Sequence, residues 1–423
     1  MQRIQLAYGR KGLSICLPDH VDVIQPIFVP GISDESQALK NALCSPIGIP
    51  PLSELVRQGD QVVIVHTDIT RATPNERILP VLLSELHQAG ILVEDIVLLN
   101  GLGTHRAQTQ DELRVLLGSD IVDNYRCLQH DCYDDKNLIS LGKTPLGYPV
   151  RINKIYAEAD VKILTGFIEP HFFAGFSGGP KAVLPSLAGH ESVFSNHGQA
   201  LIAHPRATWG VLESNPIWEE MCAVAKLSSP TFLLNVTLNA RREITAVFAG
   251  DMLLAHAAGA EFVKTSAMMA VDEPYDIIIT TNSGYPLDQN LYQSVKGISA
   301  AAQIIKDGGA IILASACEDG LPDHGNYAAL LRQAGTPVKA IEMIQTPGFS
   351  MQDQWQVQIQ AQIQVKAQIY IYSDGLSDKQ IRDALFQPCR NIENLVDQLL
   401  ARYGEAARIC VLPEGPQTIP YLL

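Results

Sequence analysis

The chain has 423 residues, 47% of them hydrophobic and 18% charged, with a formal net charge of −14. Its length exceeds the usual size of one hydrophobic core, so two domains are expected, and the acidic balance excludes general affinity for nucleic acid or anionic membranes. A small anionic substrate is still allowed, because the local field in a cleft can oppose the global charge.

The first residues lack the cationic start and apolar stretch of a secretory signal, and no apolar run approaches the ~20 residues needed to span a bilayer. The eight cysteines are scattered without a C-x-x-C pair, which points to reduced thiols and a cytoplasmic protein.

Short apolar runs alternate with amphipathic stretches, the rhythm of an α/β fold. Residues 61–65 (QVVIV) read as a buried strand, 78–88 as a helix, 95–99 (DIVLL) as the next strand and 160–165 (DVKILT) as a third. Residues 231–238 and 243–249 suggest a hairpin around 239–242. A boundary is expected at 271–274, since 276–280 (DIIIT) restarts the alternation; a helix at 293–305 and strands at 309–314 and 368–372 follow. Residues 354–368 (QWQVQIQAQIQVKAQ) alternate like a half-exposed strand, though a Gln-rich helix fits as well. Residues 378–403 have a helical pattern, and 408–412 form a last apolar strand.

The expected architecture is therefore two α/β domains with a ligand cleft between them. Residues 1–270 would form a cofactor-binding and catalytic domain, joined by a C-terminal strand returning within 405–423. Residues 275–404 would form the second domain.

Three polar loops follow strands, at the end where α/β proteins place ligands. The first, His66-Thr-Asp68-Ile-Thr70-Arg71-Ala-Thr-Pro74, offers a carboxylate, hydroxyls and a guanidinium suited to an anion, or equally a capped helix start. The second, Asn100-Gly-Leu-Gly103-Thr-His105-Arg106, offers two glycines and a His–Arg pair that looks like a proton-transfer group beside a charge.

The third and richest runs from Gly166 to Pro185 and holds His171, the turn Ser177-Gly178-Gly179 and Lys181. Glycines let the backbone approach a ligand and present N–H groups to an anion. The spacing is not that of a Walker A loop, and a plain reading of Lys181 alone is a surface lysine beside a tight turn. His197, 16 residues later, is a candidate metal ligand, base or packed core residue. In the second half, Tyr292 and Lys296 share a helix face with Gln293 beside them, and Lys296 could pair with a substrate carboxylate or be a solvated lysine.

Taken in order, Asp68-x-Thr-Arg71, Gly103-Thr-His105-Arg106, Pro170-His171-x-x-Ala-Gly-x-Ser-Gly-Gly-x-Lys181, His197 and Tyr292-Gln293-x-x-Lys296-Gly297 resemble the nickel-pincer lactate racemase family. The resemblance runs from near residue 8 to beyond Trp355. It implies an isomerase that inverts C2 of a 2-hydroxy acid, lactate being the best single substrate. The implied cofactor is a pyridinium-3-thioamide-5-thiocarboxylic acid mononucleotide carrying nickel and tethered to Lys181, with His197 completing the metal's coordination. Soft sulfur and imidazole suit Ni(II).

His105 and His171 are then the acid/base pair. Asp68, Thr70, Arg71, Ser177, Gly178 and Gly179 belong to the cofactor site, and Arg71, Tyr292, Gln293, Lys296 and Trp355 to the substrate site. Cofactor-maturation enzymes are implied partners. A C2 carbon acid beside a carboxylate is very weak; moving hydride instead gives a planar keto acid that can receive it on the other face. Proton transfer to and from the hydroxyl then falls to imidazoles.

Three positions depart from the family pattern: Ala72 where proline is frequent, Pro180 where the lactate enzyme has arginine, and Ser186 where glycine is usual. They leave open a C2 epimerase of a longer sugar acid or a malate-type racemase. A binding protein without turnover is a more distant reading, because binding alone would not require Lys181 and three histidines.

Overall fold

The computed structural model describes residues 1–322 and 325–423. The chain divides into two compact units, one of Phe28–His197 and Arg206–Thr265, the other of Met1–Ile27, Gly198–Pro205 and Ser266–Leu423.

In the first unit a six-stranded sheet runs in the order Ile244–Gly250, Phe232–Leu238, Val161–Phe167, Val62–Thr67, Ile96–Gly101, Arg126–Gln129. All neighbours are parallel except the first pair, which is the antiparallel hairpin expected from the sequence. Parallel strands are covered by helices on both faces, which is why they read as unbroken Val/Ile/Leu runs rather than alternating ones. Ile64, Leu98, Ile163 and Leu234 are fully buried in one core with Ile78, Leu79, Leu82 and Leu86 from the helix Asn75–Gln88.

The second unit holds an all-parallel six-stranded sheet, Gln387–Cys389, Gln368–Tyr372, Ile305–Ala314, Tyr275–Thr281, Ile409–Leu412, Asp22–Val23. Neither strand of the segment 405–423 joins the sheet of the first unit: Ile419–Leu422 pairs with Met268–Val271, and Ile409–Leu412 lies beside Tyr275–Thr281, where the crossover through the helix Ile392–Tyr403 delivers it. It is the N-terminal segment that joins from the far end of the sequence, Asp22–Val23 pairing with Ile409–Leu412. The helix expected across 378–403 is two helices, Asp378–Asp383 and Ile392–Tyr403, separated by Leu385 at φ 65° and the short edge strand carrying Pro388.

The alternating glutamines form a helix, Gln354–Lys366. Their period of two misleads because this helix is buried on most of its surface, with glutamines as internal clamps. Gln356 donates to the Tyr292 carbonyl (2.5 Å), Gln358 to Gln199 (2.9 Å) and Gln364 to Leu385 (2.6 Å). Gln360 accepts from the Tyr327 hydroxyl and donates to the Ala384 carbonyl at 2.8 Å. Replacing Gln360 with Leu strands two buried polar groups and should lower unfolding free energy by about 1–3 kcal/mol in a urea titration. A variant as stable as the parent would show that the clamp contributes nothing.

Candidate active site

Three adjacent parallel strands of the first unit, Ile96–Gly101, Val62–Thr67 and Val161–Phe167, end at one edge of their sheet, so the loops that follow them meet. Asp68 begins the first loop and is 3% exposed. Its Oδ1 accepts from the Thr70 amide at 3.0 Å and hydroxyl at 2.6 Å, which locks the turn. Its Oδ2 lies 2.5 Å from His105 Nδ1 in the second loop.

Burial alone would raise the Asp68 pKa. The opposite charge and hydrogen bond of His105, with the Arg71 guanidinium and the Thr70 hydroxyl, outweigh it and hold the carboxyl well below the usual range. An ionised Asp68 can only accept, so the proton between them resides on His105 Nδ1. The ring's Nε2 is left to exchange a proton with a ligand. The His105 side chain is 39% exposed, as that exchange requires.

The third loop folds back as a short ladder, Pro170–His171 against Gly175–Phe176. Ser177 closes it: its hydroxyl donates to the Phe167 carbonyl (3.0 Å) and accepts from the Glu169 amide (3.0 Å). Gly178 follows at φ 79°, where a Cβ would fall 2.5 Å from Asn235 Oδ1. The next amide, Gly179 N–H, donates to that same oxygen at 2.9 Å. A 3-10 turn, Gly179–Ala182, then carries Lys181. Pro180 is the second residue of this turn, within the first turn where the N–H is not used, so the departure from the family pattern costs no backbone bond.

Lys181 is buried, not a surface lysine. Its Nζ lies 3.4 Å from His171 Nε2 and 5.6 Å from the centre of the Phe173 ring. His171 and His197 flank the same ring, with centroids 4.5 and 5.0 Å from it. Burial first, then the nearby Lys181 charge, pushes the His197 pKa down to about 3, so its imidazole is neutral, the form that binds metals.

The second and third loops are joined as well. The Gly103 amide donates to the Ser186 carbonyl at 2.9 Å, and the Ser186 hydroxyl caps the Lys181 carbonyl at 2.8 Å. Asp68, Thr70, Arg71, His105, His171, Ser177, Gly178, Gly179, Lys181 and His197 thus share one unit.

The remaining candidates belong to the other unit and cluster with one another. Trp355 Nε1 donates to the Tyr292 hydroxyl at 3.2 Å, and Lys296 Nζ to Gln293 Oε1 at 2.9 Å. Sequence reasoning missed Phe173 and Asn235. An apolar ring in an apolar run and an Asn in a strand carry no signal until the fold shows what they touch.

A model of the lactate racemase N-terminal domain matches residues 8–210, and one of the lactate racemase C-terminal domain matches 271–419. The chain belongs to the lactate racemase family. It is, accordingly, an isomerase. Lactate racemase of Thermoanaerobacterium thermosaccharolyticum is 36% identical over 99% of both chains, and lactate racemase of Lactiplantibacillus plantarum 38% identical over 90% of both. The solved lactate racemase apoprotein of T. thermosaccharolyticum superposes with a TM-score of 0.93 at 34% identity, covering 99% of this chain and 100% of that one. A Thermotoga maritima protein at 18% identity and a TM-score of 0.71, covering 94% of this chain and 100% of its own, shares the fold.

The depressed pKa of Asp68 has a measurable consequence. Its pairing contributes stability that is present above the unfolded carboxyl pKa of about 3.9 and lost as pH falls through the lower folded value. Asp68→Asn should therefore be less stable than the parent at neutral pH, and the gap in urea midpoints should narrow as pH drops below about 4. A gap independent of pH would contradict an ionised, paired Asp68.

Proposed function

We propose that this protein interconverts the enantiomers of lactate, using a nickel-bearing pyridinium mononucleotide joined covalently to Lys181. The observation that carries the reading is the gathering around Phe173 of Lys181 and His171, on a loop joined through Ser186 to the loop of the Asp68–His105 pair, with His197 from the end of the helix His190–Asn196.

The residues fit such a group. A lysine 7% exposed beside an imidazole is an unusual resident unless something is to be attached to it. Among the described residues no cluster of three or more His, Cys, Asp or Glu side chains could hold a metal ion, so a metal ligated by neutral His197 would draw its other donors from the cofactor. The Ser177-Gly178-Gly179 turn, with Thr70 and Arg71, is assigned to the mononucleotide on the family resemblance; the Gly179 N–H and the Thr70 hydroxyl are themselves engaged by Asn235 and Asp68. When bound, the group supplies a reversible acceptor for the C2 hydrogen and its electron pair.

The chain's own residues handle the protons and orientation. His105, its Nδ1–H fixed on ionised Asp68, takes the hydroxyl proton of one enantiomer at Nε2, and His171 serves the other. The planar keto acid then takes hydrogen back at C2 on its other face, which inverts the centre, while the opposite histidine returns a proton to the oxygen. Asp68 keeps His105 in one tautomer and stabilises the imidazolium that forms. Arg71 is assigned to an anionic group of substrate or cofactor. The Lys296–Gln293 and Tyr292–Trp355 pairs are assigned to the substrate carboxylate, on the family resemblance and their mutual hydrogen bonds.

Protein co-produced with cofactor-maturation enzymes should show a mass adduct on the Lys181 peptide and bound nickel. An active preparation with neither would overturn the reading. His197→Ala should lose nickel. His105→Asn and His171→Asn should keep nickel and lower turnover by about 10²–10⁴-fold. Racemisation of D- and L-lactate, followed by polarimetry against malate and sugar acids, tests the substrate.

A further inference from the structure

His256 has no part in the chemistry described so far, yet it touches the lysine loop twice. It lies on the helix Met252–Ala267 and is fully buried. Its Nε2 is 2.8 Å from the Ser177 carbonyl oxygen. A carbonyl only accepts, so Nε2 carries the proton. Among the described residues Nδ1 has no hydrogen-bond partner, and an imidazolium would bury a second N–H without an acceptor. Burial accordingly pushes the pKa down to about 4, and the ring is neutral.

The second contact is steric. A Cβ on Gly179 would fall 2.7 Å from His256 Cδ2, so the ring occupies the space a side chain at 179 would need. Trp218 stacks on the ring, with centroids 4.6 Å apart and planes at 30°. Beyond this pair lies a cavity of about 1010 Å³, lined by Trp218, Leu253, His256 and Ala257 among others.

The loop needs such a stop. Between Ser177 and Lys181 stand Gly178 and Gly179, at φ 79° and 54°, a pair with no side chain to restrain its backbone. The Ser177 hydroxyl and Asn235 hold the loop to the sheet. His256 meets it from the helix Met252–Ala267, against Gly179 and the Ser177 carbonyl.

We propose that His256 is a positioning residue: its Nε2–H and ring face, backed by Trp218, fix the Ser177–Lys181 turn and so place the Lys181 amine beside His171. The effect on the turn stands by itself. Its consequence for turnover rests on the reading of Lys181 as the point of cofactor attachment.

Two substitutions separate the donor from the ring. His256→Gln keeps an N–H near the Nε2 position; His256→Phe keeps the stacked ring and removes the donor. The first readout uses the full chain without cofactor: competitive acetylation by acetic anhydride, with the Lys181 peptide quantified by mass spectrometry against the other lysines.

His256→Phe should change the Lys181 rate by about fivefold or more and leave the other lysines unchanged, with His256→Gln within about twofold of the parent. In protein matured with cofactor, His256→Phe should lower kcat about tenfold or more at unchanged KM, and His256→Gln should restore most of it. Parent-like acetylation in the Phe variant, or an equal change in both, would overturn the proposal.

Should the Phe variant fail to fold, ¹⁵N-histidine spectra of the parent decide. A neutral Nε2–H imidazole that persists to about pH 5 and vanishes in His256→Gln is expected, and its absence would overturn the proposal. A parent with no Lys181 adduct would refute the attachment reading alone, since the acetylation result reports on the turn either way.

Discussion

Everything at the candidate site follows from the parallel pairing of Val62–Thr67 with Ile96–Gly101 on one side and Val161–Phe167 on the other. Parallel neighbours send their carboxyl ends to the same edge, so three loops distant in sequence are forced to share one place. That constraint brings Asp68 to 2.5 Å from His105, 37 residues away, and lets Ser186 cap Lys181 while its carbonyl receives Gly103. The strands that impose it are buried and apolar, and their close-packed core holds the loop ends in place.

Burial then does opposite things to neighbouring groups. At Asp68 it is outweighed by a partner, a cation and a hydroxyl, so the carboxylate stays charged and orients His105. At His197 and His256 nothing offsets it sufficiently, and both imidazoles stay neutral. One is thereby suited to ligation, the other to donating from a single nitrogen. A buried acid that remains ionised beside buried bases that remain neutral is how one site holds fixed charge and fixed tautomers together.

The second unit shows how far pattern reading can stray without the fold being unusual. Alternation at 354–368 is as consistent with a strand as with a helix, because glutamine counts as polar in any pattern. Only the neighbours of Gln356, Gln358, Gln360 and Gln364 show these amides to be internal clamps on carbonyls of other segments. Likewise the apolar strand at 409–412 was legible, but its place beside Tyr275–Thr281 was not, since pairing depends on where the preceding crossover lands. The two strands and the turn of the hairpin at 232–250 were legible, because they are local in sequence, though not the register shift at Thr237 and Leu238.

The sequence by itself determined the α/β class, the buried parallel strands, and the residue types gathered after them: a carboxylate, three histidines, a glycine pair and a lysine in family order. These are carried by local composition and by fixed spacing. Tertiary structure alone decided that Lys181 is buried against His171 rather than solvated, that Phe173 is the ring His171 and His197 share, and that Asn235 and His256 hold the glycine turn. The physical reason is the same in each case. A side chain's charge state and hydrogen-bonding role are set by what surrounds it in space, and those surroundings come from strands and helices tens of residues away.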